Sequence, residues 1–214
     1  MVRHSPRSGL SIVEVAISTV LLASLTGAII MATLRASATY GQSAATGDLN
    51  ARSSRAIHRV SKELVGARWS SVTPRPLLPF DTDNLEFECP LDTAAGAVTW
   101  APRRQIALQL QTGELDNGLD DNGNGLIDEL SIVLVESPGL PGERRTVIVN
   151  GVSELLEGEL PNAVDDNGNG LADEAGLSFV RVQNRLVVRL SLEELDADGN
   201  HLIRTVETSV RLRN

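Results

Sequence analysis

The apolar residues of this chain form three successive patterns: a continuous run, a helical stripe and a series of alternating segments. The run extends from Val15 to Leu34 without a charged residue, close to the roughly 20 residues that a helix needs to cross a bilayer. It is longer than the apolar region of about 7–15 residues in a cleaved signal peptide. Because Arg3 and Arg7 precede the run and Arg35 is the first charge after it, we expect a cytoplasmic N-terminus.

The second pattern predicts an amphipathic helix. Apolar or small residues recur at helical spacing, with mostly charged residues between them, at Leu49, Ser53, Ile57, Val60 and Leu64. Gly41 and Gly47 each weaken a helix by about 1 kcal/mol relative to Ala, which leaves its continuity open. An unbroken helix from about Leu10 to Trp69 would measure roughly 90 Å. The prolines of Thr73–Pro76 exclude a longer one.

The third pattern predicts strands. Apolar and polar residues alternate near 85–89, 104–111, 130–136, 145–150, 178–183, 186–193 and 206–213. The last two segments flank the turn residues Asp196–Asn200, which predicts a long antiparallel hairpin. The alternative for this turn is a further cation site at Asp196 and Asp198. A helix followed by strands, with no βαβ alternation, indicates an α+β fold in which an antiparallel sheet packs against the amphipathic part of the helix.

Glu14 places a carboxylate at the start of the apolar run. An ionisable group near the centre of a membrane helix costs about 2.5 kcal/mol or more and is usually functional. The combination of Gly9, Leu10 and Glu14, with apolar residues beginning at Leu10, resembles the class III leader of type IV pilins and type II secretion pseudopilins. Those families more often carry Phe where this chain has Leu10. A plain signal anchor is the alternative that hydropathy leaves open.

The resemblance implies a set of expectations for processing and assembly. Prepilin peptidase would cut after Gly9, the new N-terminal Leu10 would be methylated, and Glu14 would pair with the terminal amine of a neighbouring subunit. The segment Val206–Asn214 also looks like the last strand of J-type minor pseudopilins or W-type minor pilins. The implied fold is a pilin-like long N-terminal helix, membrane-spanning in its first half, packed on a C-terminal antiparallel β-sheet.

We therefore expect four segments. They are a prepilin leader (1–9), a transmembrane and assembly helix (10–35), its amphipathic continuation (36–72) and a β-rich globular head (73–214). The protein would reside in the inner membrane with its head in the periplasm, and then in a periplasmic or cell-surface filament. Its expected partners are prepilin peptidase, other pilin or pseudopilin subunits and the inner-membrane assembly platform.

Two acidic segments of the predicted head, Glu114–Glu129 and Glu159–Glu174, repeat each other at most positions. Their shared core, D-x-N-x-N-G-x-x-D, matches the first nine positions of an EF-hand calcium loop. Hard Ca²⁺ takes six to eight oxygen ligands, which this spacing of side chains curls around one ion. The predicted ligands of the two calcium sites are Asp120, Asn122, Asn124, Leu126 (carbonyl) and Asp128, and Asp165, Asn167, Asn169, Leu171 (carbonyl) and Asp173.

Both repeats depart from an EF-hand after the ninth position. The twelfth position holds Ser131 or Gly176 instead of the bidentate Glu, and a strand follows where an EF-hand has a helix. The segments look more like the calcium loops of dockerin or thrombospondin-type repeats. Glu129, Glu174 or Asp116 are the candidates that would complete the shells. The simpler alternative is that Asp, Asn and Gly only form soluble turns.

Charge and composition exclude several classes of function. The two acidic segments hold eleven of the 28 acidic residues and no Lys or Arg, so the net charge of −9 is concentrated there. Such local negative charge repels nucleic acid, and no nucleic-acid partner is expected. The sequence contains no nucleophile elbow, P-loop or zinc spacing, so we expect no enzyme. The rival hypothesis is a signal-anchored extracytoplasmic calcium-binding adhesion or interaction protein that does not polymerise.

Overall fold

The computed structural model describes residues 11–75, 81–94 and 97–213. The chain divides into two compact units, Met1–Ser43 and Ala44–Asn214. One long helix, α1, is followed by a short 3₁₀ helix at Trp69–Ser71 and by nine strands within the described ranges. The bounds are α1 Ile12–Leu64, β1 Asn84–Phe87, β2 Pro90–Ala94, β3 Ala97–Trp100, β4 Arg104–Leu110, β5 Leu130–Glu136, β6 Arg144–Val152, β7 Leu177–Val182, β8 Arg185–Leu195 and β9 His201–Val210.

The first unit contains the apolar part of α1, and its side chains are exposed. The large apolar residues from Ile12 to Leu34 range from 48% exposed at Val15 to 87% at Ile12. By length and composition this helix is able to cross a membrane. Its hydroxyl groups are satisfied within the helix: for example, Ser24 and Thr26 donate to backbone carbonyls four residues earlier at 2.8 and 2.7 Å. Such pairing removes the cost of an unpaired hydroxyl in an apolar medium.

In the second unit, the C-terminal part of α1 packs its apolar stripe on the sheet. The predicted stripe residues are buried, and the Ser53 hydroxyl donates to the Leu49 carbonyl at 2.7 Å. These helical side chains belong to one core with the inward-facing residues of the strands, including Leu85, Ile106 and Leu190. The packing explains the observed amphipathicity, because a helix gains most of its stability in a protein from burying one face.

Two ion pairs connect this part of the helix to the strands. Arg104 on β4 contacts Glu63 at 2.9 Å, and Arg52 contacts Glu194 on β8 at 2.8 Å. Cys89 is half-buried, and its Sγ–H donates to the Glu63 carbonyl at 3.4 Å. Burial raises the pKa of this thiol.

The seven-stranded sheet is antiparallel throughout, in the order β1-β4-β5-β6-β8-β7, with β9 paired to β8. The predicted hairpin is present as β8 and β9, which pair from Leu186 opposite Val210 to Leu195 opposite His201. On β8, alternate residues from Leu186 to Leu192 are buried, as the period-two pattern requires. The α+β fold, a long N-terminal helix with a C-terminal antiparallel sheet, is thus confirmed.

Two local features differ from the sequence expectations, and a third settles a question that the sequence left open. Strands β2 and β3 form a separate two-stranded sheet that the alternation did not reveal. Helix α1 ends at Leu64, before the expected boundary at residue 72, because Gly66 adopts a left-handed φ of +89°. Residues 41 to 47 are helical, so neither Gly41 nor Gly47 interrupts α1.

Candidate metal centre

The two acidic repeats are long connections between strands of the sheet. Loop 1 (Glu114–Glu129) joins β4 to β5, and loop 2 (Glu159–Glu174) lies between β6 and β7. The loops have nearly the same backbone conformation: Gly125 and Gly170 have φ of +89° and +93°, and Asp128 and Asp173 both have φ of +53°. Left-handed conformations suit Gly and are tolerated by Asp, so the composition of the repeat fits its shape.

The first predicted ligand of each loop organises the backbone around it. In loop 1, the Asp120 carboxylate accepts hydrogen bonds from the amides of Gly123 and Gly125 at 2.7 and 2.8 Å. The Asp165 carboxylate accepts the equivalent bonds in loop 2 at the same distances. Backbone donors, with the Gly125 and Gly170 amides foremost, lower the pKa of Asp120 and Asp165 below the ordinary value. Both carboxylates are therefore ionised at neutral pH.

The predicted asparagine ligands curl the chain in steps of two residues. The Asn122 side-chain oxygen accepts from the Asn124 amide at 3.0 Å, and the Asn124 oxygen accepts from the Leu126 amide at 2.8 Å. Loop 2 repeats these two bonds through Asn167, Asn169 and Leu171, at 3.1 and 3.0 Å. These are Asx turns, in which successive side-chain oxygens return to the backbone of the same loop.

The ninth-position aspartates connect the end of each loop to its beginning. Asp128 accepts from the amides of Asn117 and Gly118 at 3.2 and 2.8 Å. Asp173 accepts from the amides of Asn162 and Ala163 at the same two distances. The predicted ligands of each set therefore lie in one closed loop and share one hydrogen-bond pattern.

The first and the last position of each repeat hold a buried glutamate, although glutamate is rarely buried unless it is paired. Glu114, Glu129, Glu159 and Glu174 are 5%, 0%, 7% and 1% exposed. One carboxylate oxygen of Glu114, Glu129 and Glu174 is buried without a hydrogen-bond partner. Sequence reasoning named Glu129 and Glu174 as candidates for completing the shells but missed Glu114 and Glu159, although their recurrence at the start of both repeats was visible.

The chemistry of these residues suits a hard cation. A buried carboxylate oxygen without a partner is costly, and a positive ion beside it offsets that cost. Burial raises the pKa of Glu174, which means that its surroundings disfavour the ionised form. Each loop offers carboxylate, amide and carbonyl oxygens, the ligand types that calcium prefers.

The carboxylates alone do not form a complete cage. Within 11–75, 81–94 and 97–213, no group of three or more His, Cys, Asp or Glu side chains is placed to hold a metal ion. A calcium shell in these loops would therefore also need the Asn side-chain oxygens, the Leu126 or Leu171 carbonyl and water. Calcium accepts such mixed oxygen shells.

The turn between β8 and β9 is closed by its own hydrogen bonds. The Asp196 carboxylate accepts from the amides of Asp198 and Asn200 at 2.9 and 2.8 Å, and from the Asn200 side chain at 2.9 Å. The Asn200 side-chain amide is the main cause that lowers the pKa of Asp196. These bonds close the turn of the hairpin.

Of the predicted processing and assembly residues, the structure describes Glu14. Gly9 and Leu10 fall outside the described residues. Glu14 is exposed in the first turn of α1, among exposed apolar side chains.

Comparison of the chain with protein-family models, curated proteins and solved structures found no match.

Proposed function

We propose that the chain is a non-enzymatic filament subunit, a minor pseudopilin or pilin-like protein, with two calcium ions in its globular head. The observation that carries this proposal is helix α1. It combines an exposed apolar segment of membrane-spanning length, a carboxylate at its start and a distal stripe buried on an antiparallel sheet.

The composition of the apolar segment supports a role in assembly beyond simple anchoring. A helix whose only task is anchoring gains nothing from Glu14, because a charged group is unfavourable in the hydrocarbon region. A partner of opposite charge on a neighbouring subunit would offset that cost. Processing after Gly9 would create such a partner, the free amine of Leu10.

The proposed location follows from charge and hydropathy. Basic residues before the apolar segment favour a cytoplasmic N-terminus, which would place the sheet and both acidic loops in the periplasm. The subunit would first reside in the inner membrane and then enter a periplasmic or cell-surface filament of the type II secretion or type IV pilus kind. Prepilin peptidase, other subunits and the inner-membrane assembly platform would be its partners.

Processing by prepilin peptidase is the direct test. When the full chain is co-expressed with the peptidase, we expect mass spectrometry to find methylated Leu10 as the N-terminal residue, whereas the Gly9→Val chain should retain the leader segment that precedes Leu10. Glycine has no side chain that would obstruct the peptidase, whereas the side chain of valine would obstruct it. An unaltered chain that keeps the leader segment, or is cut at another position within or after it, contradicts the pilin-like proposal and favours the signal-anchored calcium-binding protein that does not polymerise.

Glu14→Ala is expected to reduce incorporation into filaments by about tenfold or more, the factor that corresponds to 1.4 kcal/mol. The measurement is the amount of subunit in sheared filaments from a host that supplies the assembly machinery. Membrane insertion and cleavage should remain at the level of the unaltered chain, because alanine suits a membrane helix. Glu14→Asp, which keeps the charge, is the matched control. Equal incorporation of Glu14→Ala and the unaltered chain would refute the assembly role.

A further inference from the structure

Each acidic loop ends in a buried glutamate that contacts a predicted calcium ligand. One oxygen of Glu129 accepts from the side-chain amide of Asn124, and one oxygen of Glu174 accepts from that of Asn169 at 2.7 Å. The second oxygen of each glutamate is buried without a hydrogen-bond partner. A side chain that is 0% or 1% exposed, next to the loop ligands and with one oxygen unused, is the arrangement expected of a group that a bound cation completes.

The other pair of buried glutamates has a different task. In loop 2, both oxygens of Glu159 accept backbone hydrogen bonds, from the amides of Asn167 and Asp173, each at 3.0 Å. In loop 1, Glu114 accepts the first of these bonds, from the Asn122 amide at 2.9 Å. The first-position glutamate therefore holds the loop backbone with both oxygens in loop 2 and with one oxygen in loop 1, where the second oxygen of Glu114 is buried without a hydrogen-bond partner. In both loops the last-position glutamate is the one that contacts the side chain of a predicted ligand, Asn124 or Asn169.

The surroundings of the last-position glutamates differ in charge. Arg189 on β8 contacts Glu174 at 3.2 Å and Glu207 on β9 at 2.8 Å, and its side chain is 15% exposed. Among the residues that the structure describes, no Lys, Arg or His forms an ion pair with Glu129. Arg189 thus partly neutralises the charge of Glu174. The charged residues that line a cavity with Glu129 are Arg52, Glu193 and Glu194, and Arg52 pairs with Glu194.

We propose that Glu129 and Glu174 supply the carboxylate that closes the calcium shell of their loop, and that Arg189 makes loop 2 the weaker of the two sites. This inference rests on the calcium binding proposed above. Calcium in loop 2 competes with the Arg189 guanidinium for the Glu174 carboxylate and is repelled by that guanidinium. Calcium in loop 1 meets a fully buried carboxylate, Glu129, that forms no ion pair with a described Lys, Arg or His. Loop 1 should bind calcium about tenfold or more tightly than loop 2.

Calorimetric titration of the calcium-free full chain in detergent micelles with CaCl₂ tests this inference. We expect two classes of site, one per loop. Glu129→Gln should remove the tighter class and Glu174→Gln the weaker one, because the amide keeps the shape but lacks the charge. Arg189→Gln should tighten the weaker class toward the affinity of loop 1. Glu154→Gln, an equal loss of charge at an exposed residue outside both loops, should change neither class.

The outcomes separate this inference from the calcium proposal itself. An unaltered chain that binds no calcium at millimolar concentration overturns both. Two sites that survive Glu129→Gln and Glu174→Gln unchanged overturn the ligand assignment alone. Weaker binding in Arg189→Gln overturns the ranking, since it would make Arg189 an organiser of loop 2. Fluorescence of Trp69 and Trp100 monitors the folding of each variant. If Glu129→Gln or Glu174→Gln does not fold, Glu129→Asp and Glu174→Asp, which keep the negative charge, replace them as the test variants.

Discussion

Removal of calcium is expected to lower the melting temperature of the second unit by about 10 °C. Calcium loops with few carboxylates bind in the range of about 10⁻⁴–10⁻³ M. At 10 mM Ca²⁺, two such sites add about 3–5 kcal/mol by mass action. For a domain of 150–250 residues, each kcal/mol shifts the midpoint by about 2–4 °C. The measurement is thermal unfolding of the full chain in micelles, with calcium or with chelator, followed by the fluorescence of Trp69 and Trp100, which both lie in the second unit.

Two comparisons make this prediction specific to the loops. Magnesium at the same concentration should stabilise much less, because it prefers an octahedral shell with several of its own waters. Replacing both first-position aspartates, with Asp120→Asn and Asp165→Asn in one chain, should abolish the shift, and either change alone should reduce it. Identical melting in calcium and chelator would show that the repeats are only turns, the simpler alternative for their composition.

Gly176→Ala is expected to destabilise the second unit by about 3 kcal/mol, near the upper end of the usual cost of overpacking. Gly176 follows loop 2 and is buried immediately before β7. Its amide donates to the Glu154 carbonyl at 3.0 Å, and its carbonyl accepts from the Ser191 amide at 2.7 Å, so the backbone is held on both sides. A Cβ atom at this position would overlap the Ser153 carbonyl, and backbone cannot move aside as cheaply as the end of a flexible side chain.

Gly47→Ala is the matched control for this substitution. Gly47 lies within α1, and a Cβ atom there would meet no atom within 4 Å. Alanine should therefore stabilise the helix by about 1 kcal/mol. Urea unfolding of both variants in the presence of calcium measures the two effects. A loss below about 0.5 kcal/mol in Gly176→Ala, the usual range of substitutions away from special features, would mean that the Ser153 segment moves freely.

The effect of calcium and the effect of Gly176→Ala concern the same part of the second unit. Loop 2 ends at Glu174, and Gly176 lies between the loop and β7. Backbone hydrogen bonds of Gly176 connect this segment to the residues after β6 and to β8. Arg189 on β8 also contacts Glu174, so the loop is held to the sheet through side chains as well. If calcium orders loop 2, its stabilising effect should therefore extend into the sheet rather than remain local.

Much of this architecture could be predicted from the sequence because the responsible signals are local. The period of apolar residues predicted the helical stripe from Leu49 to Leu64 and the strands at β1 and β4 to β9, since burial of one face imposes the same period on the chain. The separate hairpin of β2 and β3 was missed. Its residues have no clear alternation, and exposed residues such as Leu91 give no burial pattern to detect.

The sequence by itself determined the helix and its membrane-length apolar segment, the antiparallel hairpin and the existence of two matching oxygen-rich loops. Each of these depends on residues close together in the chain, where spacing alone fixes geometry. Only the tertiary structure decided which glutamates are buried and which of them has a cationic neighbour. Glu129 and Glu174 occupy the same position in their repeats, yet Arg189 reaches only Glu174, because the pairing of β7 with β8 brings that arginine beside loop 2. Burial and ion pairing depend on neighbours that are distant in sequence, so two equal repeats acquired unequal electrostatic environments.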